Sequence, residues 1–263
     1  MNAPCKAWAL MTESAVYLQP AFILQQRKYQ ETSLIIDALT RDFGRISLLA
    51  KGVRKAKSKT AAILQPFIPL TLSYFGRAEL KTLRDVERNV FCDMIQPVSE
   101  IKGLGFYCGF YINELVTCFL HKYDPHPEVF GYYGECLSGL ADDFNNQAAL
   151  RLFELKLMES VGYGLQLEYD GNDNAIEALK KYDFIVGQGP VAAVNGRFSG
   201  KTLQALSVSE LTDPQVLSEA KLLMRTVIDV YLQGKPLKSR AVINKVFGLP
   251  FLGGTSVFRP LRF

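Results

Sequence analysis

The chain has 263 residues, 48% of them hydrophobic and 21% charged, which excludes global disorder and allows a sizeable core without covalent staples. Its net charge of +4 is unevenly spread: residues 1–90 hold 14 Lys/Arg against 7 Asp/Glu, residues 91–200 hold 7 against 15, and residues 201–263 hold 9 against 4. Five cysteines, odd in number and without a CxxC pair, argue against a disulfide framework or a cysteine zinc site and suit a reducing compartment.

Near the N-terminus a single lysine precedes "AWALM", an apolar run too short for the core of a signal peptide. The most apolar stretch, 103–120, carries Asn113 and Glu114 in its middle and is not read as a membrane span. The expectation is a cytoplasmic protein without membrane contact.

The first ninety residues read as β-structure. "SAVYLQPAFILQQRKY" and "TSLIIDALT" are rich in β-branched and aromatic residues, and "RDFG" forms a hairpin turn into "RISLLAKG". "PFIPLTLSYFG" and "ELKTLRDVERNVF" follow, with Pro66 and Pro69 placing the start of the fourth run at an edge or barrel rim. Five short strands and one longer connection predict a five-stranded oligonucleotide/oligosaccharide-binding (OB) barrel over residues 1–90.

The longer connection, "KGVRKAKSKTAAILQPF", holds Lys51, Arg54, Lys55, Lys57 and Lys59 and no acidic residue. A lysine-rich loop is often only a solvated surface. Here it lies on the long loop of an apparent OB barrel, where nucleic-acid strands commonly run. Arg27, Lys28, Arg41, Arg45, Arg77, Lys81 and Arg84 fall on neighbouring strands or turns, interleaved with Phe43, Tyr74 and Phe75 as stacking faces. Phe67 and Phe75 fit a barrel core equally well, since the register is open. The balance favours a nucleic-acid backbone as the loop's partner.

Over residues 91–263 the pattern is mainly helical, so the fold class is α+β. In 99–122, Ile101, Leu104, Tyr111, Leu115 and Cys118 recur at helical spacings, and 127–144 and 147–163 continue the character. An irregular insert rich in Gly, Asn and Asp covers about 162–201. "DPQVLSEAKLLMRTVIDVYLQGK" reads as a strong helix, with Asp213 as cap, Pro214 in the first turn and Gly234 at the end.

Three other chemistries find little material in the sequence. "VAAVNGRFSGKT" resembles a phosphate loop, but the required first glycine falls on Asn195, so a turn leading into a short helix is favoured. "HKYDPHPE" gathers His121, Asp124, His126 and Glu128, yet Pro125 and Pro127 break the helical spacing of a zinc pair, leaving a turn between helices. There is no GxSxG and no activated cysteine motif. No catalytic residues, metal or cofactor are predicted.

Several of these segments together resemble the bacterial RecO recombination and repair mediator family. They are "AFILQQRKYQETSLIIDALTRDFGRISLLAKGVRK", "LQPFIPLTLSYFGRAELKTLRDVE" and "LRLFELKLMESVGYGLQLEYD", then "YDFIVGQGPVAAV", "FSGKTLQALS" and "QGKPLKSRAVI". The resemblance implies an OB domain and a helical domain that bind single- and double-stranded DNA and anneal complementary strands. With RecR, such proteins help load RecA onto DNA coated by single-strand-binding protein, whose acidic tail the helical domain engages. Carried over by position, DNA contacts are expected at Lys51, Arg54, Lys55, Lys57, Arg77 and Lys81. Arg27, Lys59, Tyr74 and Arg84 join them from the barrel reading, and Lys235, Lys238 and Arg240 are candidates for the acidic tail. Many members carry a four-cysteine zinc module in a region like 168–195, which here has no cysteine, so no zinc is expected. A metal-dependent nuclease, or an interaction scaffold with incidental DNA binding, are the alternatives.

Overall fold

The computed structural model describes residues 14–55, 58–88, 101–142 and 146–248. They fall into two compact units, one drawn from Met1–Met94 and Leu120–Phe130, the other from Ile95–Phe119 and Gly131–Phe263.

The first unit is a closed barrel of five strands: β1 (Ala15–Tyr29), β2 (Ser33–Thr40), β3 (Gly44–Ala50), β4 (Leu70–Phe75) and β5 (Leu80–Arg88). They pair in the order β1-β2-β3-β5-β4, with β4 returning to β1. The short helix α1 (Lys59–Ile63) connects β3 to β4, and β3 runs parallel to β5. This is the OB topology that the strand count predicted. Closure depends on the length of β1. Its first half pairs with β4, its second half with β2, and Ala21 is paired on both sides, with Leu70 and with Thr40.

Two bulges, between Val16 and Gln19 and between Ile23 and Gln25, bend β1 around the barrel. Alternate residues such as Ile23, Ile36, Ile46, Leu48, Leu70 and Leu72 fill the interior and are fully buried. Strand β4 begins at Leu70, after both Pro66 and Pro69, as their missing N–H groups require.

Segment Leu120–Phe130, which lies beyond the β-rich half of the sequence, belongs to the barrel's unit. The Tyr123 N–H donates to the Arg45 carbonyl at 3.0 Å, and Lys122 pairs with Glu79 at 2.6 Å. The Phe130 ring lies 5.0 Å from that of Phe22. Gly44 makes this approach possible, because a Cβ there would sit 2.1 Å from the Asp124 carbonyl oxygen, and its φ is +64°.

The second unit is mainly helical: α2 (Gly103–Phe119), most of α3 (Pro127–Leu140), α4 (Asn146–Ser160), α5 (Gly200–Ser207), α6 (Pro214–Tyr231) and α7 (Lys238–Phe247). The insert supplies a small sheet of β6 (Lys181–Ile185), β7 (Gly189–Ala192) and β8 (Phe198–Ser199), in the order β7-β6-β8. Helix α6 starts as its sequence predicts: Asp213 accepts from the N–H groups of Gln215 and Val216, with Pro214 in the first turn. Its buried face, Val216, Ala220, Leu223, Met224 and Val227, follows the helical period. Among the described residues no helix is long and apolar enough to cross a membrane.

Candidate nucleic-acid interface

The basic segment leaves β3 as a tight turn rather than a loose loop. Gly52 has φ +69°, the Lys55 N–H returns to the Gly52 carbonyl at 3.3 Å, and buried Val53 anchors the turn in the barrel core. Two bonds then tie it to the β1–β2 turn. The Arg54 N–H donates to the Thr32 carbonyl at 2.8 Å, and its guanidinium donates to the Gln30 carbonyl at 3.2 Å. With Val53 inward, Lys51, Arg54 and Lys55 are left exposed.

Register brings further charge to the same end. Lys28 pairs with Leu34, which pairs with Ala50, and Arg27 pairs with Ile35, which pairs with Leu49. Two strand spacings make about 10 Å, so Arg27 and Lys28 lie about that far from the beginning of the turn. Among the described residues none of Arg27, Lys28, Lys51, Arg54 and Lys55 forms an ion pair with a carboxylate. The acidic side chain nearest in sequence is Glu31, in the β1–β2 turn. Five unneutralised cations at one end of a barrel set up a positive potential that suits a polyanion. Lys57 and the Lys59 side chain lie outside the described residues.

Arg77 and Lys81 sit at the β4–β5 turn. Lys81 is opposite Leu48 in the parallel pairing, three residues before Lys51, and so borders the first cluster at about 10 Å. It is half-buried, however: its Nζ donates to the Gly76 carbonyl at 3.2 Å and lies 5.1 Å over the Tyr123 ring. Arg84 is set apart on the β4 flank, donating to the Tyr17 hydroxyl at 2.9 Å.

Tyr74 requires a correction. It alternates with Leu72 on the inward face of β4 and is only 2% exposed, packed edge-on against Phe43 at 6.3 Å. Burial pushes its hydroxyl up to about 12. It is a core residue, and no base can stack on it. The exposed barrel aromatics are instead Tyr17, Tyr29 and Phe43, of which only Phe43 stood out in sequence. Tyr29 lies two residues from Arg27, on the same face of β1. Alternation would have found it, but a bulge resets the parity of β1 and is not visible in the sequence.

The second correction falls on Arg240, which is 8% exposed. Its guanidinium is ion-paired with Asp229, donates to the Tyr111 hydroxyl at 3.3 Å, and lies 5.5 Å over that ring. It is a strut between α7, α6 and α2, not a surface cation. Lys235 and Lys238 are exposed, and the N–H groups of Lys238 and Ser239 donate to the Glu114 carboxylate at 2.9 Å.

The phosphate-loop lookalike is a helix cap. Ser199 caps α5 by accepting from the Thr202 N–H. The Glu219 carboxylate accepts from the Ser199 N–H at 2.6 Å, the Ser199 hydroxyl at 2.7 Å and the Thr202 hydroxyl at 2.8 Å. An internal anion therefore occupies the helix start. Burial disfavours its charge, but these bonds and Lys181 outweigh it and hold Glu219 down at about 2. Gly200 is needed for close approach, since a Cβ would stand 2.0 Å from the Glu177 carbonyl oxygen. In the histidine turn, His126 lies between Asp124 at 3.2 Å and Glu128 at 3.3 Å, and Pro127 opens α3. Among the described residues no cluster of three or more His, Cys, Asp or Glu suits a metal.

A closed OB barrel with an unpaired basic end, followed by a helical region, defines the class: an OB-fold protein with a basic flank. Comparison with known proteins makes this specific. Residues 11–89 match the family described as "Recombination protein O N terminal", and residues 103–241 match "Recombination protein O C terminal". The DNA repair protein RecO of Nitrosococcus oceani is 39% identical over 237 residues, covering 88% of this chain and 94% of that one. The RecO protein of Methylococcus capsulatus is 40% identical over 234 residues, with coverage of 88% and 94%. That of Haemophilus influenzae is 36% identical over 232 residues, with coverage of 87% and 96%. The chain belongs to the RecO family of DNA repair proteins.

Proposed function

We propose that this protein binds single- and double-stranded DNA through the basic end of its barrel and anneals complementary strands. With RecR, it assists the loading of RecA onto DNA coated by single-strand-binding protein. It acts without catalysis or ATP, in the cytoplasm at the nucleoid. The barrel within residues 1–90 carries the DNA contacts, and the helical part from 91 carries the protein contacts. With Arg240 withdrawn, Lys235 and Lys238 remain the candidates for the acidic tail of single-strand-binding protein. The observation that carries the reading is the unneutralised set Arg27, Lys51, Arg54 and Lys55, held at one end of an OB barrel beside the exposed ring of Tyr29.

The mechanism is electrostatic: basic side chains neutralise phosphates and release counterions. Four phosphate contacts on a single strand correspond to a log–log salt slope of about −2.8, or a loss of about 50-fold between about 50 and 200 mM salt. Fluorescence anisotropy on labelled single-stranded DNA across a salt series tests this. The variant with Arg27, Lys51, Arg54 and Lys55 changed to Ala is expected to bind more weakly and with a shallower slope. Identical titrations of the two proteins would remove the DNA site from this end of the barrel.

A further inference from the structure

The barrel order places β4 between β5 and β1, and both neighbours bulge at one level of it. On one side Val16 pairs with Tyr74 and Gln19 with Leu72, so Tyr17 and Leu18 stand out opposite Ser73. On the other, Leu83 pairs with Tyr74 and Asp85 with Ser73, so Arg84 is the extra residue. Two facing bulges bring Arg84 and Tyr17 together across β4. The guanidinium lies 5.4 Å over the ring and donates to its hydroxyl at 2.9 Å.

Leu18 completes the group. Its N–H donates to the Ser73 hydroxyl at 3.2 Å, and its φ is +51°. In that left-handed conformation glycine is the default residue of a bulge. Here a branched apolar side chain is held 69% exposed, beside a tyrosine 59% exposed. Its own packing gives no reason for leucine at this place. Arg84 has no carboxylate partner among the described residues, and the neighbouring Asp85 carboxylate accepts from the Val86 N–H at 2.9 Å. Glu87 and Arg88 follow on the same strand.

We propose that Tyr17, Leu18 and Arg84 form a second single-stranded nucleic-acid contact, in which a nucleobase stacks on the bulge and its phosphate meets Arg84. This rests on the reading of the barrel as a DNA-binding domain and adds the place of a second strand. An exposed ring, an apolar wedge and an unneutralised guanidinium are what a base and its phosphate recognise. The group protrudes from the barrel, whereas an apolar peptide would need a groove. Tyr17 and Arg27 are ten residues apart on β1, about 30 Å of strand contour that two bulges bend around the barrel, and one base step does not touch both clusters. Two strands held on one barrel would be placed for pairing.

The test uses the full chain with Leu18→Gly and Arg84→Gln. Leu18→Gly relieves the left-handed strain, so its melting temperature is expected to equal or exceed that of the parent. The first readout is annealing of complementary labelled oligonucleotides, expected to slow about fivefold or more in both variants. The second is an oligothymidylate carrying one 2-aminopurine, whose emission falls on stacking; that quench should be lost in Leu18→Gly while anisotropy still reports binding at the basic end. Annealing within about twofold of the parent, with the quench intact, overturns the second contact. Failure of the basic end is a separate result, read in the anisotropy of the Arg27, Lys51, Arg54 and Lys55 variant.

Discussion

Arg151 and Glu154 in α4 are each about 1% exposed and paired at 2.8 Å, with the Tyr111 hydroxyl donating to the same carboxylate oxygen at 2.6 Å. Burial raises the Glu154 carboxyl, opposed by Arg151 and the Tyr111 bond. Replacing Arg151 by Met leaves a buried carboxylate without its cation. The expected cost is about 3 kcal/mol, read as a lower urea midpoint with an unchanged denaturant slope. Glu219 gives the opposite pH signature. Its folded value near 2 lies below its ordinary 4.5, so its contribution is present above pH 4.5 and is lost as pH falls towards 2. After allowance for solvent screening this is about 1–2 kcal/mol. Glu219→Gln should be less stable at neutral pH and show a flatter acid limb in melting temperature between those limits. A parallel acid limb in the two proteins would contradict this role. The burial of Arg240 was not legible in sequence, because Tyr111 lies 129 residues away and Asp229 on the preceding helix, and only the packing of α7 on α2 and α6 brings the three together.

At the scale of elements, the strands, the "RDFG" turn and the capped α6 were legible because each follows from local chemistry: alternation, a left-handed Gly44, an Asp-Pro helix start. The basic cluster was legible too, since charge in a connection between strands has nowhere to go but the surface. Tyr17 and Tyr29 were not, because β1 changes parity at bulges that no residue type announces. Tyr74 was assigned to the wrong face although β4 alternates regularly through Leu70, Leu72 and Tyr74, because an alternating strand does not itself say which face is inward. The fit of 120–130 onto the barrel depends on a pairing that is also silent in sequence. Gly44→Ala tests it. The new Cβ would meet the Asp124 carbonyl at 2.1 Å in a backbone conformation that disfavours any side chain. Destabilisation of at least ~2 kcal/mol is expected in thermal melting. A melting temperature equal to the parent's would show that the segment yields freely.

Over the whole molecule, the first charge boundary seen in sequence falls close to the division between the two units. The basic head folds into the barrel, while the acidic middle contributes much of the helical unit, where carboxylates such as Glu114 and Glu154 serve as cap and strut. Its acidity is thus partly spent inside the fold and need not mark a basic partner.

The double pairing of Ala21 also carries a kinetic consequence. The second half of β1 finds β2 across a turn of three residues, Gln30–Thr32, whereas its first half must wait for β4, with Ala15 meeting Phe75 about sixty residues later. Contacts near in sequence close early, and distant ones close late and slowly. The seam between Ala15 and Ala21 is therefore the last stave fitted to the barrel and the first to loosen. Amide hydrogens there are expected to exchange sooner than those of Arg27–Tyr29, though both belong to one continuous strand.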